Sequence, residues 1–310
     1  MLPEIAHVFN LAETIVAETE LVTINQDKIN MVAELMKDNP LPEKQIDKTK
    51  IEEPPEWKRR NIILDELVSD SINYCYWQYN SNIRPNGAGS TKMRELLDIS
   101  FDARHAMESN MNFNYQIRQF IKTLQRHRFP LMDKRIQHLK ALCDPYYSRG
   151  ASNRSVYITG INVAITFVGM VNDGYKFEHL FDFLITEIDG FGDDPFLKRA
   201  CLFFIQMNRI LGLFEDEIKV FPIPADYQVP KMMHKYELFT YSSLLDAMLR
   251  VGSHLRENGP MEMAIRAATV YTGKQLCDIT GWSASDVDGW FFSRKNECMD
   301  NFHLCQTSNY

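Results

Sequence analysis

Residues 113–142 read FNYQIRQFIKTLQRHRFPLMDKRIQHLKAL, and their spacing decides the fold class. Phe113, Ile117, Phe120, Ile121 and Leu124 recur at steps of one, three and four, the pattern of one buried helix face. Similar spacings run through 178–188, 196–213 and 261–276, and Ile63, Leu67 and Ile72 repeat at four to five residues. Strand-like alternation is scarce. Only 156–171, β-branched and apolar, reads as ambiguous. No solenoid-type repeat is present. The expectation is a mostly α chain.

Helical spacing also marks the start of the chain, through Leu11, Ile15 and Val16 and again through Ile29, Val32, Leu35 and Met36. Residues 39–56 turn polar and carry Pro40, Pro42, Pro54 and Pro55, the composition of a linker or exposed loop. The organisation expected is an N-terminal helical extension and linker over 1–56, followed by a single helical domain over 57–310.

Composition bounds the function classes. The 310 residues are 45% hydrophobic and 24% charged, which excludes collagen-like, low-complexity and wholly disordered readings. Lys and Arg number 34 against 41 Asp and Glu, a net charge of -7, which argues against a bulk nucleic-acid coater but not against a local basic groove. The 6 cysteines form no C-x-x-C pair and read as reduced thiols of a cytosolic protein. No metal site is expected, because the potential ligands are not spaced for one, and no cofactor is assigned. Glu4 stands where a signal peptide would be basic, and the apolar run 163–171 is too short to span a bilayer. These features predict a soluble protein of the cytoplasm, the host's if the chain is viral, with no membrane partner.

Several segments invite chemistry. Gly87-Ala88-Gly89-Ser90-Thr91-Lys92 has the wrong order for a Walker A loop and reads as a plain loop. Arg118, Lys122 and Arg126 fall at i, i+4 and i+8, so they line one helix face that could hold phosphates or simply be solvated. Arg128, Lys134, Arg135 and Lys140 extend this basic stretch, with His127 and His138 between. Gly190-Phe191-Gly192 resembles the hairpin of helix-hairpin-helix DNA glycosylases, whose free N–H groups can hold a phosphate. In 222–241, PIPADYQVPKMMHKYELFTY, prolines restrict the backbone around Asp226. A carboxylate there is a candidate general base or cation stabiliser, or the cap of the following helix.

Six collinear stretches carry a family resemblance. Ala225-Asp226-Tyr227-Gln228-Val229-Pro230-Lys231 resembles the ADYRVPQ motif of the queuosine salvage proteins, which release queuine from its nucleotide. The segment 70–77, DSINYCYW, is similar to their LNFSFW-type motif, and Lys198-Arg199-Ala200 to their KRA. Tyr241-Ser242, the segment 262–266 (EMAIR) and the tail from Phe302-His303 to Tyr310 follow in order. The likeness spans roughly 60–310. It implies an all-helical, DNA-glycosylase-like fold, a nucleobase pocket, and kinship with phage enzymes that hypermodify thymidine.

Two departures weigh on the substrate. The family carries an Asp where this chain has Gln206, and a Glu where it has Ala264. Queuine is donor-rich and suits a carboxylate acceptor, whereas Gln offers both a donor and an acceptor. The lead expectation is therefore a transferase on a modified thymine in DNA, replacing an activated phosphate with a small amine or amino-acid co-substrate. The alternatives are queuosine 5′-phosphate N-glycosylase and a non-catalytic DNA-binding module. The resemblance implies Asp226 as the catalytic group. It places Gln206, Tyr227, Trp77 and Asn73 at the base, the two aromatics by stacking. Lys198, Arg199, Arg266 and Lys231 would hold phosphate.

Overall fold

A computed structural model describes residues 1–41, 54–77, 89–127, 129–143, 162–298 and 300–310. In chain order its elements are α1 (Pro3–Glu18), β1 (Val22–Ile24), α2 (Gln26–Asp38), α3 (Glu56–Ser71), α4 (Gly89–Ser100), α5 (Ala103–Ala106), α6 (Asn110–His127), α7 (Met132–Ala141), α8 (Val163–Asn172), α9 (Phe177–Glu187) and α10 (Lys198–Leu211). There follow α11 (Glu215–Ile218), α12 (Gln228–Lys235), β2 (Phe239–Tyr241), α13 (Ser243–Arg250), β3 (His254–Leu255), α14 (Pro260–Thr280), α15 (Ala284–Ser293) and β4 (Leu304–Cys305). The described chain is mostly helical, as the periodicity predicts. Its sheets are two small pairs: β1 antiparallel to β2, and β3 parallel to β4. No described helix is long and apolar enough to cross a membrane.

The deciding stretch folds as α6 and α7. Phe113, Ile117, Phe120, Ile121 and Leu124 are buried along α6. Pro130 cannot continue that helix, and Leu131 turns the chain with a φ of 52° before α7 begins. The ambiguous run resolves to helix over Val163–Asn172, while 156–161 lie outside the described residues. Gly89–Lys92 open α4, whereas Gly87, Ala88, Arg128 and most of the expected linker also lie outside them.

Two compact units emerge from the contacts. One comprises Met1–Asp47, Leu213–Gln306 and Tyr310, and the other Lys48–Gly212 and Thr307–Asn309. In the first, α14 is the central helix, packed by α1, α2, α12 and α15. α1 buries Ile5, Val8 and Ala12, and α2 buries Ile29, Val32, Ala33 and Met36. An amphipathic helix must bury its apolar stripe, and α14 supplies the surface. The N-terminal helices thus share a core with the second half of the chain, so this grouping does not coincide with the expected division at 56/57. In the second unit, α3 is central, packed by α4, α5, α7, α8 and α10.

Gly273 of α14 lets the 221–226 segment approach closely. A Cβ at this position would fall inside the Ile223 side chain. Gly273→Ala is therefore expected to destabilise the protein by about 1–3 kcal/mol through overpacking, despite alanine's better helix propensity. Urea unfolding of the variant checks this, and a wild-type midpoint would refute the close approach.

Candidate functional site

In the first unit the chain runs from Phe221 to Asp226 without regular structure and then enters α12. The sequence explains the junction. The first N–H groups of a helix lack intrahelical partners. Asp226 Oδ1 accepts hydrogen bonds from the Gln228 and Val229 backbone N–H groups at 2.7 and 3.1 Å. Pro230 follows and has no N–H to satisfy. The capping role considered from sequence is therefore present, and it leaves chemistry over. Asp226 is half-buried, and its Oδ2 takes no hydrogen bond among the described residues. One oxygen is pinned and the other is available, at a helix end that favours negative charge.

The peptide units flanking Asp226 are held from behind. Arg266 Nε donates to the Ala225 carbonyl at 3.1 Å, and Arg266 pairs with Glu262 at 3.3 Å, with both side chains 0% exposed. The Tyr227 hydroxyl donates to the Cys305 carbonyl at 2.8 Å. Its ring lies 5.3 Å from Phe302, 5.3 Å from His303 and 4.8 Å from Tyr310. Lys231 Nζ donates to the carbonyls of Lys295 and Cys298 at 3.3 and 3.0 Å.

The second unit contains a cation clamp. After α3 ends at Ser71, the backbone of 72–77 is irregular, and its carbonyls need donors. Arg199 Nη1 donates to Ser71 O at 2.6 Å, and Lys198 Nζ to Asn73 O at 3.3 Å. Arg135 donates to the carbonyls of Ile72, Tyr74 and Cys75. The guanidinium carbons of Arg135 and Arg199 lie 4.4 and 5.0 Å from the Tyr74 ring centroid. Positive groups beyond a helix C-terminus also suit its dipole.

This clamp fixes a polar chain that sequence reading missed. Asp70 Oδ1 accepts from Asn73 Nδ2 at 3.1 Å, and Asn73 Oδ1 accepts from the Tyr76 hydroxyl at 3.0 Å. Asp70 is 2% exposed, and its Oδ2 has no hydrogen-bond partner among the described residues. Burial pushes the Asp70 carboxyl up to about 7, helped by the negative charge of Glu66 and opposed by Asn73, Lys198 and Arg94. Asp65, one turn earlier on α3, is raised to about 7, again chiefly by burial. The signal in the sequence was an Asp near a helix end with Asn three residues on, a spacing that lets the two side chains meet.

The predicted residues divide between the units. Asp226, Tyr227, Lys231 and Arg266 belong to the first, and Asn73, Trp77, Lys198, Arg199 and Gln206 to the second. The four cations expected to hold phosphate all donate to backbone carbonyls; Lys198, Arg199 and Arg266 are buried and need such partners, while Lys231 is half-buried. Tyr227 is 9% exposed with its ring among three aromatic neighbours, and Trp77 is 2% exposed. These rings are packed into the interior. Asn73 is engaged by Asp70 and Tyr76. Gln206 sits half-buried on α10, with no side-chain hydrogen bond among the described residues.

The glycine turn at 190–192 is a packing device. A Cβ on Gly190, whose φ is 90°, would strike the Arg199 guanidinium, and one on Gly192 would strike the Ile185 carbonyl. Asp194 takes the Lys198 N–H at the start of α10, at 2.8 Å. The glycine turn makes room for Arg199. Arg118, Lys122 and Arg126 do line the exposed face of α6, whereas Arg135 and His138 from the same stretch are buried. Among the described residues no group of His, Cys, Asp or Glu side chains could hold a metal ion.

The sequence model of the family described as Queuosine salvage protein matches residues 58–288. A queuosine 5′-phosphate N-glycosylase/hydrolase of Dictyostelium discoideum is 24% identical over 220 residues, covering 68% of this chain. The aligned region spans 64% of that relative's length. Another, from Sphaerobacter thermophilus, is 23% identical over 292 residues, covering 87% of this chain and 84% of the relative.

The carboxyl of Asp70 carries a pH prediction. Its ordinary value is 3.8 and its folded value about 7, so between these the folded state holds a proton that the unfolded chain has released. Stability from this group is present below the ordinary value and lost as pH rises towards 7. The slope is at most about 1.4 kcal/mol per pH unit. Asp70→Asn removes that dependence, so its stability relative to wild type should improve from pH 5 to about pH 7 and level off above it. Urea titrations across this range decide it, and a constant difference would refute the shift.

Proposed function

Because the chain belongs to the queuosine salvage protein family, we propose that it hydrolyses the N-glycosidic bond of queuosine 5′-phosphate and releases queuine. The observation that carries the reading is the Asp226 carboxylate, with Oδ1 fixed by two backbone N–H groups and Oδ2 left for a ligand. Breaking a glycosidic C–N bond builds positive, oxocarbenium-like charge on the ribose. A preorganised carboxylate beside it lowers the barrier by stabilising charge that exists only in the transition state. Water supplies the hydroxyl to the ribose carbon and a proton to the departing base. Gln206 reads the base edge in this proposal. Tyr227 and Arg266 hold the Asp226 segment rather than contacting the base or the phosphate.

The thymidine-hypermodification reading rests on Gln206 and Ala264 standing where the family has carboxylates, whereas both relatives are named queuosine 5′-phosphate N-glycosylase/hydrolase. The four cations expected to hold phosphate donate to backbone carbonyls. Nothing in the geometry favours DNA or an amine co-substrate over a nucleotide and water.

The decisive experiment incubates the protein with queuosine 5′-phosphate and, separately, with DNA containing phosphorylated 5-hydroxymethyluracil. Mass spectrometry should find queuine and ribose 5-phosphate in the first and unchanged DNA in the second. The converse result would overturn the proposal. Asp226→Asn can still accept both amide bonds but loses the charge. It should keep the fold and lose roughly 10²–10³-fold in kcat. Gln206→Asp returns an acceptor-only group against a donor-rich base and should raise kcat/KM on queuosine 5′-phosphate. A fall in kcat/KM would remove Gln206 from the base edge.

A further inference from the structure

We propose that Tyr310 and Arg266 are positioning residues for Asp226, the tyrosine ring clamping the guanidinium that fixes the Ala225 carbonyl. The inference rests on the reading of Asp226 as the catalytic carboxylate and adds what aims it.

The contacts form a closed path. Arg266 Nε holds Ala225 O at 3.1 Å, and the guanidinium carbon lies 4.2 Å from the centroid of the Tyr310 ring. That ring lies 4.8 Å from the Tyr227 ring, whose hydroxyl bonds Cys305 O at 2.8 Å. His303 Nε2 bonds the Tyr310 hydroxyl at 3.0 Å. β4, in the same C-terminal segment, pairs with β3. The residues on both sides of Asp226 are therefore tied to one buried aromatic group.

Local hydrogen bonds alone cannot aim the carboxylate. The two amides that bind Oδ1 belong to the start of α12, so they rotate with the peptide that carries Asp226. The direction of Oδ2 is set by the units before and after it, which are those that Arg266 and Tyr227 hold. A planar guanidinium can donate in its plane and take a ring on its face at once, which an ammonium cannot do. Burial, with the Arg266 charge beside it, pushes His303 down to about 3, so its imidazole is neutral and can share a hydrogen bond with Tyr310 without adding a second cation.

Tyr310→Leu keeps an apolar group of moderate size and removes the aromatic face, and Tyr310→Phe keeps the face and removes the hydroxyl. Steady-state kinetics on queuosine 5′-phosphate and hydrogen exchange at the Gln228 and Val229 amides are measured for both. The leucine variant should lose about tenfold or more in kcat with little change in KM, since small misplacements of a catalytic group act on the chemical step. Its two amides should exchange faster while those of α14 do not, and the phenylalanine variant should recover most of both effects. Combined with Asp226→Asn, the leucine change should cause no further loss. Wild-type kcat with wild-type exchange in the leucine variant would overturn the clamp, as would an equal loss on the Asp226→Asn background. If the wild-type protein does not turn over queuosine 5′-phosphate, the functional reading fails, and the amide exchange decides the clamp by itself.

Discussion

Buried cations bonded to backbone carbonyls are the constraint on which both units rest. An irregular segment inside a protein has carbonyls without ladder or helix partners, and each must find a donor. A buried guanidinium or ammonium has the complementary need. Arg135, Arg199 and Lys198 meet it at 71–75 and Arg266 at Ala225, and the half-buried Lys231 bonds the carbonyls of Lys295 and Cys298 in the same way. Among the described residues, Arg135 makes its hydrogen bonds to carbonyls and no ion pair with a carboxylate. The irregular segments thereby gain hydrogen-bond partners without helical geometry.

Such segments suit a site. A helix presents its side chains at a fixed period, whereas a clamped irregular segment can aim one side chain independently of its neighbours. Asp226 is the clearest case. Its carbonyl neighbour is held by Arg266, its aromatic neighbour is anchored to Cys305, and the carboxylate itself caps α12. In the second unit the same device holds Asn73 between Asp70 and Tyr76. Asp70 is kept in an environment that resists its ionisation, while Lys198 and Arg94 limit how far.

Much of this was legible in the residues, and the failures have one cause. The helices over 113–142 followed from apolar spacing, and the Asp226 segment from its prolines and its likeness to a family motif. The carbonyl partners of Lys198, Arg199, Arg266 and Lys231 were not legible, because a sequence shows a cation's charge but not its partner. Arg135 is the sharpest example. It lies in a basic run that reads as a solvated or phosphate-binding face, yet it is 0% exposed. The burial of Tyr227 and Trp77 was not legible for a related reason, since aromatic character is equally suited to stacking on a base and to filling a core.

The sequence by itself determined the helical class, through a period that only a helix converts into one apolar face. It also determined the family, through six motifs in order, and the carboxylate, through the proline-flanked ADY segment. The tertiary structure decided which polar groups are available and which are engaged. It joined Tyr310 to Arg266 across 44 residues and Arg135 to Ile72 across 63, distances over which no periodic pattern carries information. It also decided that Asp226 caps α12 through one oxygen while the neighbouring charges serve the backbone. The reason is burial: hydrogen-bond partners must be found in three dimensions once water is excluded.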